Sequence, residues 1–368
     1  MITTKKQIRS DLHILLSIAA ILIIVGLLFI YSSSSVYAIE KFGRSYYFVL
    51  KQLGALVLGI AALIVARLVP LAFIKKMSPL LFFSSLALTA MTLIPQLSSR
   101  IHGSSRWLNL GGFGFQPSEL LKIALILYLA YFLEKKATKL SSLMHSFFPL
   151  MVILGLTGAV LLKQPDFGLT VTLLATACAM LFVAQFQTKH ILITLGALIP
   201  AAIALVIYKP YRLKRILTFL DPWADPQGAG FQIIQSLIAI GSGSFFGVGI
   251  THSKQKFFYL PMQHTDFIFS IIAEETGFFG STLLVTLYVL FIYFGMKIVW
   301  QMNDLFCMLA TFGFISLLSL QTVINLAVAT GLAPTKGIGL PFVSYGNTSL
   351  VACIIMLGLI MNMVHSNK

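Results

Sequence analysis

Charge is scarce in this sequence: 10% of its 368 residues are Asp, Glu, Lys or Arg, where ordinary soluble domains carry about 25%. Acids are scarcer still, 11 against 26 Lys and Arg, which leaves a formal net charge of +15. Nucleic acid is a poor account of that excess, because the basic residues are scattered over short intervals with no basic helix or aromatic platform to gather them. Anionic lipid headgroups or an anionic lipid substrate fit it better. Cysteine is nearly absent: Cys178, Cys307 and Cys353 each fall inside an apolar run and lack metal-ligand spacing, so they read as small core residues with no disulfide. No period of 20–50 residues recurs and nothing delimits a soluble domain, so 1–368 reads as a single membrane domain.

What the sequence has in quantity is hydrocarbon, at 58% hydrophobic residues and a mean hydropathy of +0.93. Apolar runs long enough to cross a core of about 30 Å lie near 12–31, 48–69, 77–95, 118–133, 146–162, 169–187, 190–208, 266–296, 305–329 and 347–364. The expectation is an all-α polytopic membrane protein of about ten transmembrane helices. The first run follows Lys5, Lys6 and Arg9 and precedes Val36-Tyr37-Ala38, a pattern shared with signal peptides, but it is longer than an h-region of roughly 7–15 residues and reads as a retained span.

With the N-terminus inside, the cytoplasmic intervals carry twelve Lys and Arg, and the outside intervals carry as many, six of them in the long loop 209–265. Long loops count little toward orientation. Setting that loop aside leaves twelve against six, which places both termini in the cytoplasm.

Two outside segments, 96–119 and 209–265, are rich in Gly, Pro and aromatics. The second is a large extracytoplasmic loop between helices seven and eight. In the first, Gly103, Gly111, Gly112 and Gly114 give a tight backbone, and Pro117-Ser118 marks a helix start. Glu119 and Lys122 then share one helical face, either as an ion pair inside the bundle or with Lys122 facing a substrate phosphate and Glu119 holding it. Trp107 suits an interfacial belt or stacking on a sugar. Lys163 to Gly168 reads KQPDFG, a tight turn whose Asp166 is either solvated or a substrate contact. The second segment opens with Arg212, Lys214 and Arg215, a cluster suited to phosphate or to snorkelling toward headgroups. Asp221-Pro222 and Asp225-Pro226 punctuate a turn, and Phe231 to Ile240 is spaced as a short surface or re-entrant helix. Gly241, Gly243, Gly247 and Gly249 would let a backbone approach phosphates, but no Lys-Ser/Thr follows to make a P-loop.

Asp266 opens the eighth apolar run. A carboxylate where water meets hydrocarbon is costly to keep charged and is a functional-site candidate by default. Ser270 and Glu274 follow it at i+4 steps on the same face, which suggests a hydrated cavity, with Glu275 turned away. His264 and Asp266 offer two metal ligands, a weak signal for a cation; His264 is also a candidate substrate contact. Gln321 and Asn325 share a face, enough for interhelical hydrogen bonding. The last outside loop, TGLAPTKGIGLPFVSYGNTSL, is Gly- and Pro-rich and brings Ser344 to the same cavity.

In this order, YSSSSVYAIEKFG, RWLNLGGFGFQPSELLK, QPDFG, FLDPWADPQGAGFQIIQSLIAIGSG, YLPMQHTDFIFSIIAEETG and GLPFVSYGNTSL resemble the SEDS family (shape, elongation, division, sporulation), the RodA/FtsW group. AIEKFG and SKQKFFYLP look closer to the FtsW-like division branch than to the RodA-like elongation branch. Two departures are a missing Glu, where Met262 or Gln263 stands, and Gly346-Asn347-Thr348-Ser349 in place of GGSS.

The resemblance implies a peptidoglycan glycosyltransferase of the bacterial cytoplasmic (inner) membrane. Such an enzyme polymerises lipid II, releases undecaprenyl pyrophosphate, and works with a class B penicillin-binding protein and other divisome or elongasome membrane proteins. The chemistry suits the residues: Asp266 as general base, with Lys122, Arg212 and Arg215 on the leaving pyrophosphate. A divalent cation such as Mg2+ or Mn2+ would assist, with no organic cofactor. Two other readings are a lipid II flippase, which needs openings on both sides with recognition near the midplane, and a divisome scaffold, in which Asp266 would have no need of an acid.

Overall fold

The computed structural model describes residues 2–367 apart from 97, 102, 103, 111, 112, 140, 141, 188, 191, 195, 197–199, 201, 202, 204–206, 209 and 258. The seventh expected span, 190–208, therefore lies largely outside the described residues, as do Gly103, Gly111, Gly112 and the side chain of Arg212.

Apolar runs became helices because a backbone in hydrocarbon must satisfy its own hydrogen bonds. The helices are α1 (Ile2–Phe42), α2 (Tyr47–Leu68), α3 (Leu71–Met91), α4 (Pro117–Lys135), α5 (Phe148–Lys163), α6 (Phe167–Val183), α7 (Pro210–Leu220), α8 (Phe231–Ser242), α9 (Ile268–Trp300), α10 (Leu305–Ala329) and α11 (Asn347–Ser366). Seven stretches among the described residues are long and apolar enough to cross a membrane, with α6 a shorter apolar helix; α4, interrupted by Glu119, Lys122 and Glu134, packs among them. A polytopic helical membrane protein with close to ten spans is what the sequence called for.

Burial sorts the helices into layers. Along α4, α10 and α11 most side chains are buried, while α2 and α3 turn Val57, Leu58, Leu80 and Phe83 outward. α11 lies along α2 so closely that a Cβ on Gly358 would meet the Leu63 carbonyl at 2.7 Å, the small-residue approach that lets membrane helices pack without a hydrophobic drive. α1 runs unbroken through Val36-Tyr37-Ala38, with Ala38 fully buried.

One element departs from an all-α reading. Residues Ser98–Ile101, Ser104–Leu110 and Phe113–Phe115 form a three-stranded antiparallel sheet, β1-β2-β3, with a register shift between Ser99 and Ile101. A non-helical segment packed against a membrane bundle must pair its backbone groups with one another, and the short strands do so. Trp107 and Arg106 are neighbours on β2 and so point to opposite faces; the Trp107 ring covers Gly114.

α9 is two helices joined end to end. Gly277 has φ 66° and ψ −162°, a conformation that only glycine adopts without strain, and the break admits the segment after α8. Val248 and Gly249 donate N–H groups to the carbonyls of Glu274 and Glu275 (3.0 and 3.1 Å), and Phe278 and Phe279 donate to those of Ser244 and Phe245 (2.8 and 3.1 Å). The inserted loop thus satisfies the backbone groups that the break leaves without helical partners. Gly243 and Gly247 are glycines because they press on the α9 backbone: a Cβ would sit 2.0 Å from the Ala273 carbonyl oxygen and 2.1 Å from that of Glu275. This corrects the expectation that they approach phosphates.

Candidate active site

Four chain segments meet at one end of the bundle: the sheet before α4, the turn before α6, the turn before α9 and the loop between α10 and α11. Asp266 is the residue they surround. Its backbone is fixed on three sides. Asn325 on α10 donates to the carbonyls of Asp266 and Ile338 (both 2.8 Å), Ser344 Oγ donates to the Thr265 carbonyl (2.6 Å), and the Tyr345 N–H donates to the His264 carbonyl (2.9 Å). The side chain is half-buried. Dense surroundings raise its carboxyl to about 6; Arg106 and then Arg215 oppose the rise, and Asp166 adds to it. A carboxylate poised there can take a proton near neutral pH.

Arg106 is the candidate site residue that sequence reasoning passed over. Its Nε lies 3.5 Å from Oδ2 of Asp166, its guanidinium donates to the Pro165 carbonyl at 2.7 Å, and its Nη1 shares with Asp266 Oδ2 the space a Cβ on Gly337 would take, 3.9 and 3.7 Å from it. The available signal was its place beside Trp107 in RWLNL. Lys336 was missed as well: half-buried beside Gly337, with its ammonium 6.0 Å from the Phe167 ring and its pKa lowered by burial.

Asp166 is buried, so the solvated-turn reading is corrected. It caps α6 by accepting the Leu169 N–H at 3.2 Å, and burial raises its carboxyl while Arg106 opposes that. Gln164 anchors the same turn by donating to Thr89 O at 2.8 Å and to Thr92 Oγ1. Beyond Asp166 stands the Glu119 and Lys122 pair, Nζ to Oε2 at 2.6 Å, with Lys122 1% exposed; that contact misses hydrogen-bond geometry and is one of charge. Their charges act on Asp166 rather than on Asp266. Arg215 on α7 is exposed and donates to the Thr335 carbonyl at 3.3 Å. Opposite charges therefore alternate from Lys122 through Asp166, Arg106 and Asp266 to Arg215.

Two expected substrate contacts face elsewhere. His264 packs its ring among Tyr37, Phe48 and Tyr345 at 5.9, 4.7 and 5.7 Å, and burial lowers it to about 4. Ser344 has its hydroxyl engaged twice, accepting from Leu340 N and donating to Thr265 O. Both are structural ties under Asp266 rather than open contacts. Trp107 is half-buried over Gly114.

The face shared by Asp266, Ser270 and Glu274 is not a continuous cavity. Ser270 pairs with Ser236 of α8 at 2.6 Å, and Glu274 accepts from the Ser253 hydroxyl and from the Lys254 and Gln255 N–H groups (2.8 and 3.4 Å). Glu275, turned to the other side, accepts from Ser32 Oγ at 2.6 Å and lies 3.6 Å from Lys256 Nζ. The two acids therefore bind the 253–256 turn, and Gln263 continues the tie by donating to Lys256 O and Ser33 O (both 3.0 Å).

For a divalent cation the donors are poor. Among the described residues no three His, Cys, Asp or Glu converge, and Arg106 and Arg215 oppose a second positive charge near Asp266. The side chains do not by themselves form a cation site.

A conserved-family model described as "Cell cycle protein" (FtsW, RodA, SpoVE) matches residues 12–368. The chain belongs to the FtsW/RodA/SpoVE family. It is 44% identical over 349 residues to the "Probable peptidoglycan glycosyltransferase FtsW" of Geobacter sp. (strain M18), covering 95% of each chain. It is 39% identical to "Stage V sporulation protein E" of Bacillus subtilis (strain 168), covering 98% of each. Among solved structures, one reported as "Structural coordination of polymerization and crosslinking by a peptidoglycan synthase complex" has a chain 31% identical at TM-score 0.79, with 96% of this chain and 97% of that one covered. The Thermus thermophilus rod shape determining protein RodA matches at 26% and TM-score 0.70, with 96% of each covered. The Geobacter FtsW thus shares more identity with this chain than the Thermus thermophilus RodA does.

Proposed function

We infer that this chain is a peptidoglycan glycosyltransferase that polymerises lipid II, serving septal cell-wall synthesis. Family membership and relatives named peptidoglycan glycosyltransferase FtsW support the activity. The observation that carries the mechanism is the half-buried Asp266, raised to about 6 and flanked by Arg106 and Arg215.

Asp266 accepts the proton of the acceptor's GlcNAc 4-hydroxyl as that oxygen attacks the anomeric carbon of the lipid-linked donor. The new C–O bond forms as the bond from that carbon to the phosphate oxygen breaks, and its electron pair leaves with undecaprenyl pyrophosphate. Negative charge grows on the leaving group, and Arg106 and Arg215, whose charges act on Asp266, are suited to stabilise it together with Lys336 beside Gly337. Lys122 contributes at longer range through Asp166, and Arg212 stands one turn before Arg215 on α7. A cation such as Mg2+ or Mn2+ would be held chiefly by pyrophosphate oxygens, and no step here runs through it.

The site end faces outside in this reading, with both termini in the cytoplasm of a bacterium and the chain in its inner membrane. A class B penicillin-binding protein supplies transpeptidation, in keeping with the polymerization and crosslinking named for the synthase complex. Proteoliposomes carrying lipid II only in the leaflet facing Asp266 test enzyme against flippase. Glycan that forms there and is lost in Asp266→Asn supports the polymerase. Transfer of lipid II across the bilayer without polymer, unchanged in Asp266→Asn, would establish the transporter instead.

A further inference from the structure

At the end of the bundle opposite Asp266, a cavity of about 330 Å³ opens between the start of α1 and the ends of α2 and α11. Its volume falls in the roughly 300–1,000 Å³ range of small-ligand sites. Arg9 and His13 line it from α1, Arg67 from the last turn of α2 and His365 from the last turn of α11. Leu16 and Met361 form its apolar wall toward the membrane interior. Arg9, His13 and Leu16 are spaced i, i+4 and i+7, one face of α1.

Among the described residues no acid balances these groups. Asp11, on the other side of α1, is held by Lys297 at 2.9 Å and Gln301 at 2.8 Å, and Glu134 and Asp304 share Lys75 at 2.7 and 3.0 Å. The acids of this end are thereby used by other cations, and among the described residues no ion pair reaches Arg9 or Arg67. Neutralising the helix C-terminal dipoles is a role for Arg67 and His365, but Asn362 already caps α2 by donating to the Ala66, Arg67 and Val69 carbonyls. That role does not extend to Arg9 and His13, which lie beyond the first turn of α1.

We propose that this cavity binds the phosphodiester headgroup of an anionic phospholipid in the leaflet opposite Asp266, Arg9 and Arg67 holding the phosphate and the acyl chains running down the Leu16 and Met361 wall. Basic pockets between transmembrane helices are suited to such headgroups, and guanidinium binds phosphate oxygens in pairs. The apolar wall selects a lipid over free phosphate.

The test is native mass spectrometry of the purified full chain with dioleoylphosphatidylglycerol, dioleoylphosphatidylcholine or inorganic phosphate added. One phosphatidylglycerol per chain should be retained in preference to phosphatidylcholine, and millimolar phosphate should not displace it. Arg9→Gln with Arg67→Gln should weaken retention roughly thirty-fold, about five-fold for each charge removed. Lys76→Gln, an exposed cation of the same end outside the cavity, should leave it unchanged, and His365→Gln gives an independent variant of the pocket. Equal loss in Lys76→Gln would mean diffuse attraction and overturn the site. So would retention unchanged in the double variant and His365→Gln, equal binding of phosphatidylcholine, or displacement by phosphate alone.

Discussion

Arg106 stands 3.5 Å from Asp166 and is also the leading counter-charge on Asp266. One guanidinium from a strand thus links two acids that begin different helices. Removing it leaves Asp166 acting on Asp266 without the charge that lowers both carboxyls. Arg106→Gln should reduce lipid II polymerisation and move the acid side of the pH–rate profile upward, since Arg106 lowers the Asp266 pKa. An unshifted profile in a folded variant would separate Arg106 from Asp266.

The profile of the unmodified protein follows from the same carboxyl. A general base works ionised, so with its pKa raised to about 6, activity should be full above that value and fall as pH drops through it. Asp266→Asn should cost at least about 100-fold in rate and abolish that limb. Near-normal glycan synthesis by the Asn variant would remove Asp266 from the base role.

The Glu119 and Lys122 pair distinguishes structure from chemistry. Lys122→Ala leaves a buried carboxylate unpaired, which costs about 3–5 kcal/mol, and its activity should fall; Glu119→Gln should do less harm. Lys122→Met with Glu119→Gln should recover the melting temperature in detergent, because replacing a buried pair with uncharged groups is often neutral. If polymerisation recovers in step, the pair is purely structural. Stability without activity would assign the Lys122 charge to the reaction.

Gly247 has φ +79° and no room for a Cβ, so Gly247→Ala should cost about 2–4 kcal/mol from backbone strain and overlap. Gly54 has nothing within 4 Å, and Gly54→Ala should leave thermal unfolding unchanged or raise its midpoint slightly. Equal midpoints for the two variants would contradict the close approach to Glu275.

Most helices were legible because hydrocarbon imposes one periodicity and one length, and α8 was legible from its apolar spacing. The sheet was not, because strands of three to seven residues set among glycines carry little pattern. The break at Gly277 was hidden for a different reason: apart from Glu274 and Glu275 the run after Asp266 is apolar on both sides of Gly277, and what opens the helix is the separate 244–249 segment. Asp266 was found from its position at a water boundary. His264 was misplaced because sequence proximity to Asp266 does not say which way a side chain turns, and Ser344 because a Gly- and Pro-rich loop beside the site does not say it either, while Arg106 was overlooked because one cation in a glycine-rich loop looks like any other. Glu274 shows the limit of helical-face reasoning, since its face meets the 253–256 turn instead of water.

The splice of the 244–249 segment into α9 also bears on motion. Amides of Val248 and Gly249 and of Phe278 and Phe279 are each satisfied across the break, so neither strand of that knot opens to solvent without unmaking the other. Gln263 ties the turn that carries Asp266 to the 253–256 turn, which Glu274 and Glu275 hold beside the break. It therefore cannot swing as a free flap over a growing glycan. In the proposed reaction the polymer slides past a fixed carboxylate, and the flexibility that translocation demands comes from the chain being made or from the helices as bodies.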